Sequence, residues 1–206
     1  MKKVINIAVV GLGQVGIYLL NELNTKKDEI EIKTGKKINV VAISARSITK
    51  KRRFKINKKI FYKNPLEIFN KTKIDILFEA IGLSDGISKK VVETALNNKI
   101  HVITPNKALI SKHGDYLAKL AEGNHVNLEF EASVAGGIPI LRTIKESLAT
   151  NKISKVYGIL NGTSNYILSE MESSSDSFTN VLKKAQKLGY AEPGNPKLDL
   201  NGFDAF

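Results

Sequence analysis

Gly11, Gly13 and Gly16 stand in the spacing G-x-G-x-x-G, directly after the apolar run Val4 to Val10 and at the head of a segment with helical period. No other feature restricts the fold of this chain so strongly. The first glycine permits a tight turn from strand into helix, the second lets backbone approach a pyrophosphate, and the third lets helix and strand pack closely. The helix that follows presents unpaired N–H groups to the same spot, which suits an anion. A glycine-bearing turn in another fold is the alternative reading; what opposes it is the motif's place at the start of an alternating strand and helix pattern.

That pattern fills the first 130 residues. Strands are expected at Val4 to Val10, Asn39 to Ser44, Ile74 to Phe78, Ile100 to Ile103 and Val126 to Phe130. Between the third and fourth, Ile87, Val91, Val92, Ala95 and Leu96 recur on one side of a helix, and Leu109, Leu117, Leu120 and Ala121 do the same further on. Short apolar runs alternating with helical segments define a parallel sheet covered on both faces. The expected class is therefore α/β, a doubly wound parallel sheet of Rossmann type. Thr25 to Lys37, polar and carrying a glycine, reads as a loop or hairpin insertion.

After Glu131 the texture changes. A small-residue turn, Ala132 to Gly137, leads through Pro139 into a helix carrying Ile140, Leu141, Ile144 and Leu148. The expected division is a nucleotide-binding domain over 1–132 and a second domain over 133–206. Within the second, Lys152 to Leu160 reads as a strand and Tyr166 to Met171 as a helix, with Phe178, Val181, Leu182, Ala185 and Leu188 lining another.

Composition narrows the function. With no cysteine, the chain has neither disulfides nor thiolate metal sites nor thiol nucleophiles, which suits a reducing cytoplasm. No stretch reaches the roughly 20 apolar residues of a membrane helix. The formal charge of +12 raises the question of a nucleic-acid partner, yet only Lys50 to Lys59 is densely basic and the other lysines are dispersed. The expectation is neither nucleic acid nor membrane as partner.

Cofactor choice is read at the end of the second strand, where an acid would hold the ribose hydroxyls of NAD. Here the residues are Ile43-Ser44-Ala45-Arg46, backed by Lys50 to Arg53. Arg46 suits a 2′-phosphate, which favours NADP over NAD, while a solvated basic loop remains the alternative.

Four later segments resemble a known family in order and spacing. They are Ile103-Thr104-Pro105-Asn106-Lys107-Ala108-Leu109, Phe130 to Pro139, Gly158 to Leu168, and Ala185 to Asp204, the last reading AQKLGYAEPGNPKLDLNGFD. Together with the glycine loop they resemble homoserine dehydrogenase over nearly the whole chain. The resemblance implies NAD(P)H-dependent reduction of L-aspartate 4-semialdehyde to L-homoserine, and the reverse, in threonine, methionine and isoleucine biosynthesis. It also implies that the second domain is an α+β substrate and dimerisation domain, incomplete here, and that the full-length form is a homodimer.

The same resemblance implies roles for particular residues. Glu192 and Asp204 would hold the amino acid substrate, with Asn106 nearby, and Asp199 would join Lys107 in catalysis. Cofactor contacts are expected from Gly11, Gly13, Gln14, Val15 and Gly16 in the glycine loop. Arg46, Gly82, Thr104 and Lys107 would complete that set. Glu131, with the carbonyls of Val134, Gly136 and Ile138, would form a monovalent cation site for sodium. His101, His113 and His125 fall at no metal-binding spacing.

Two departures from the family pattern stand out. The acidic turn Glu192 to Pro196 carries one extra residue, which a loop absorbs. The family signature also continues past its last aspartate to a lysine, whereas this sequence reads Asp204-Ala205-Phe206. The expectation is a truncated chain, with a catalytically inactive NADP-binding fragment as the alternative function. Aspartate-semialdehyde dehydrogenase, which shares the fold logic, is excluded because its thioester chemistry needs a cysteine.

Overall fold

The computed structural model describes residues 4–49, 56–191 and 200. The chain forms two compact units, Met1–Leu148 and Ala149–Phe206.

The first unit is built on six parallel strands: β1 (Val4–Val10), β2 (Lys37–Ser44), β3 (Phe61–Tyr62), β4 (Ile76–Glu79), β5 (His101–Ile103) and β6 (Leu128–Glu129). Their order across the sheet is β3-β2-β1-β4-β5-β6, the doubly wound arrangement whose direction of winding reverses beside β1. Its helices are α1 (Gln14–Thr25), α2 (Lys27–Thr34), α3 (Ile68–Lys71), α4 (Ile87–Asn97), α5 (Lys107–Gly123) and the short α6 (Ile140–Arg142).

β1 shows why the sheet needs cover on both faces. Ala8 and Val10 join one apolar cluster, with Val91, Val92, Ala95 and Leu96 of α4 and Leu109 and Leu117 of α5. Ile7 and Val9 join the other, with Leu20 of α1 and Ile43 of β2. Successive side chains of a strand point to opposite faces, so a strand buried twice must be apolar at every position. The unbroken run IAVV meets that demand.

Two expectations are corrected by the structure. Thr25 to Lys37 is not a loop or hairpin: α1 runs to Thr25 and α2 follows at once. Gly35, with φ of 65°, ends α2 in the left-handed conformation that glycine adopts without steric cost. The Glu29–Lys33 ion pair, one helical turn apart, helps a helix that buries no residue. Polarity alone therefore misread a solvent-facing helix.

Lys152 to Leu160 forms no strand among the described residues, and Val156, Tyr157, Ile159 and Leu160 are exposed. Apolar side chains favour extended backbone, but a strand requires a partner for its N–H and C=O groups. β3 was not anticipated from sequence; at two residues it carries too little periodicity. The helix expected after Pro139 is real but irregular, α6 passing into a π-helical turn at Thr143–Ser147.

The second unit contains α7 (Gly162–Ser173) and α8 (Phe178–Leu188). Ile167, Val181, Ala185 and Ala191 form its buried cluster. The Asn161 side chain caps α7 by accepting from the Ser164 N–H, and Tyr166 stacks on Tyr190 with ring centres 4.7 Å apart. Among the described residues no helix is long and apolar enough to cross a membrane.

Candidate functional site

Because the strands are parallel, the turns that follow β1, β2, β4 and β5 all lie at one edge of the sheet, the usual place for a ligand in an open α/β fold. Gly11 leaves β1 with φ of 96°, its N–H donating to the Ser44 carbonyl of β2. A β-carbon at Gly11 would overlap the Ala80 carbonyl, and one at Gly16 would overlap the carbonyl of Gly11. Gly13, at the N-cap of α1, meets nothing within 4 Å. Two glycines thus serve packing of the turn, while the middle one faces open space above the helix N-terminus. Gln14 and Val15 are exposed beside it, as is Arg46 just beyond β2.

β4 and β5 supply the other side of this edge. Thr104 and Asn106 are buried between β5 and α5, and Lys107, exposed, is the first residue of α5. Asn106 caps the helix by accepting from the Leu109 N–H at 3.1 Å. Lys107 therefore lies at the same carboxyl edge as the glycine loop. Gly82, with φ of 87°, turns the loop after β4 there as well.

A residue that sequence reading missed sits at the centre. Glu79, the last residue of β4, is fully buried. Its carboxylate accepts from the Ile81 N–H at 2.7 Å, the Thr104 hydroxyl at 2.6 Å and the Asn106 amide at 3.3 Å. The only sequence signal was a charged residue closing the otherwise apolar run Ile76 to Phe78.

On the loop after β4, Asp85 accepts from Ser84, Lys112 and His113 at 2.7, 2.7 and 2.9 Å. These bonds, that from Lys112 foremost, hold its carboxyl far below the usual carboxylate range. His113 is thus tied to an aspartate, and His101 accepts from the Asn127 N–H. No group of three or more His, Cys, Asp or Glu residues suited to a metal occurs among the described residues.

The turn after β6 has a different donor set. Glu131 Oε2 accepts from the Arg142 N–H at 2.9 Å, but Glu131 Oε1 is buried without a hydrogen-bond partner. Ile138 accepts from the Ile140 N–H, which leaves its carbonyl one lone pair. Glu192, Asp199 and Asp204, and the basic residues Lys50 to Arg53, lie outside the described residues.

A parallel sheet in this order, with a glycine turn opening onto a helix N-terminus at its carboxyl edge, defines the class of Rossmann dinucleotide-binding proteins. The family model described as homoserine dehydrogenase, NAD binding domain, matches residues 11–131, and that described as homoserine dehydrogenase matches residues 139–206. The chain belongs to the homoserine dehydrogenase family.

Similar proteins agree. The chain is 41% identical to a homoserine dehydrogenase of Neisseria gonorrhoeae over 203 residues, covering 98% of this chain and 46% of that one. A crystal structure of S. aureus homoserine dehydrogenase at pH 7.5 shares 40% identity with a TM-score of 0.83, over all of this chain and 48% of its own. The enzyme from Thiobacillus denitrificans gives 38% identity and the same TM-score, over 99% and 47%. The chain spans about half the length of the curated relatives it matches.

Proposed function

We propose that the protein carrying this chain is an NADP-preferring homoserine dehydrogenase. It interconverts L-aspartate 4-semialdehyde and L-homoserine in the synthesis of threonine, methionine and isoleucine. The observation that carries this reading is the placement of the Gly11–Gly16 turn and Lys107 at one carboxyl edge of the sheet, within a chain of that family. The domain over 1–132 holds the cofactor, and the segment 133–206 belongs to the substrate domain.

The residues present fit a dinucleotide. Gly13 leaves open space where a side chain would stand, above the unpaired N–H groups of α1. Gln14, Val15 and Gly16 continue that seat, Gly82 and Thr104 shape the far side, and Arg46 takes the 2′-phosphate in preference to the hydroxyls of NAD. When bound, the nicotinamide supplies or accepts the hydride. Lys107 stabilises the negative charge that grows on the substrate oxygen and moves a proton at that atom. Asn106 supports the start of α5, Glu192 and Asp204 take the substrate ammonium and hydroxyl, and Asp199 orients the proton-moving groups.

Glu131 Oε1, buried and unpartnered, fits a hard monovalent cation of the sodium type, with the carbonyls of Val134, Gly136 and Ile138 as further oxygen donors. The ion would supply local order to this turn. The protein works as a cytoplasmic homodimer on small-molecule substrate.

The test is homoserine-dependent reduction of NADP and of NAD by the full-length protein and by Lys107→Met. Wild type should turn over with NADP preferred, and the variant should lose about 10²–10⁴-fold in kcat while remaining folded. Absence of homoserine-dependent turnover in the wild type, or full activity in the variant, would refute the assignment.

A further inference from the structure

Glu79 is costly to keep where it is. It is fully buried, and among the described residues no cation pairs with it. Burying a carboxylate demands that its hydrogen-bonding capacity be met, and an apolar residue would serve sheet packing at less cost. What the carboxylate adds is a set of fixed distances. All three groups that donate to it belong to turns at the carboxyl edge: Ile81 beside Gly82, and Thr104 and Asn106 just before Lys107.

The network leaves these turns little freedom. The Thr104 hydroxyl donates to Glu79 and accepts from the Asn106 N–H at 3.0 Å. The Asn106 amide donates to Glu79 and to the Leu83 carbonyl at 2.9 Å, while its oxygen caps α5. One side chain thus joins the loop after β4 to the first turn of α5. The same loop meets the glycine turn, since the Ala80 carbonyl occupies the place of a Gly11 β-carbon and the Ala80 N–H donates to Val10 at 2.7 Å.

We propose that Glu79 is a positioning residue: through Thr104 and Asn106 it sets the start of α5, and so Lys107, at the distance from the glycine turn that a nicotinamide group requires. It makes no contact with cofactor itself. The adenosine half of the dinucleotide, which lies over Gly13 and Arg46, does not depend on it. This inference rests on the cofactor site proposed above.

Glu79→Gln tests it, because the amide keeps shape and one acceptor but turns a second hydrogen-bond donor toward Thr104 and Asn106. Binding of NADPH, followed by its nicotinamide fluorescence, is compared with binding of 2′,5′-ADP, which carries only the adenosine half. The variant should bind NADPH roughly tenfold more weakly, the worth of about one lost hydrogen bond, with 2′,5′-ADP affinity changed less than about twofold. Thr104→Val, which deletes one donor at nearly constant shape, should shift the same ratio in the same direction, and Thr104→Ser should restore it.

Equal loss for both ligands, or no loss for either, would overturn the proposal while leaving the cofactor reading intact. A wild type that binds neither ligand would overturn both. Should Glu79→Gln fail to fold, Glu79→Asp, which keeps the carboxylate but draws it back by one methylene from Thr104 and Asn106, decides by the same ratio. If Glu79→Asp also fails to fold, the network serves stability and the positioning role is rejected.

Discussion

Gly16 lies so close to the Gly11 carbonyl that no β-carbon fits between them, while Gly13, between the two in sequence, has nothing within 4 Å of its own missing β-carbon. The three glycines of one motif therefore answer to different physics. Gly16→Ala forces backbone apart and should cost about 1–3 kcal/mol, read as a fall in the denaturant midpoint. Gly13→Ala should stay within about 0.5 kcal/mol of wild type yet lose cofactor binding, because only the ligand competes for that space. If the two substitutions destabilise equally, this separation of packing from binding is wrong.

Arg46 is exposed beyond β2, so its removal touches no core. Arg46→Ala should leave the unfolding transition unchanged and weaken NADP about tenfold or more, with NAD affected far less, the loss expected on removing the charge-assisted bond proposed for the 2′-phosphate. Titration of both cofactors into both proteins checks this. Unchanged discrimination would mean that the basic loop is merely solvated.

Asp85 gives a stability term with a definite sign in pH. Hydrogen bonds from Lys112, Ser84 and His113 hold its folded-state carboxyl below the ordinary carboxylate range. A group lowered on folding contributes stability above its unfolded value and loses it as pH falls toward the folded one. The Tm gap between wild type and Asp85→Asn should be steady near neutral pH and narrow progressively below the ordinary carboxylate range. Because the group is exposed, added salt should narrow it as well. A gap that widens on acidification would contradict the assignment.

Linkage tests the cation proposed at Glu131 Oε1. Sodium should raise the Tm of the wild type relative to the same concentration of tetramethylammonium, by the amount that binding to the folded state alone requires. Glu131→Gln should remove the difference, although Glu131 Oε2 shows that the side chain also accepts from Arg142. Equal Tm values for wild type in both salts would remove the cation from this site.

Much of this was legible in the residues themselves. The glycine spacing and the apolar run before it placed the first strand at Val4 to Val10 and the turn at the carboxyl edge, because local sterics and side-chain alternation are written residue by residue. The stripe from Ile87 to Leu96 likewise announced α4 and the face it buries. The lack of cysteine leaves these 206 residues no thiol nucleophile. Polarity misled at Lys27–Thr34, where α2 is held by helical spacing of charges and a terminal glycine rather than by an apolar face.

The tertiary structure decided what depends on partners distant in sequence. Lys152 to Leu160 has the side chains of a strand, but pairing makes a strand, and no ladder forms there among the described residues. Glu79 reads as a lone acid at the end of an apolar run until β4 and β5 lie side by side. Only then do Thr104 and Asn106, more than twenty residues away, turn their donors onto its carboxylate. Residue type is local information, whereas the meeting of a buried charge with its donors is created by folding.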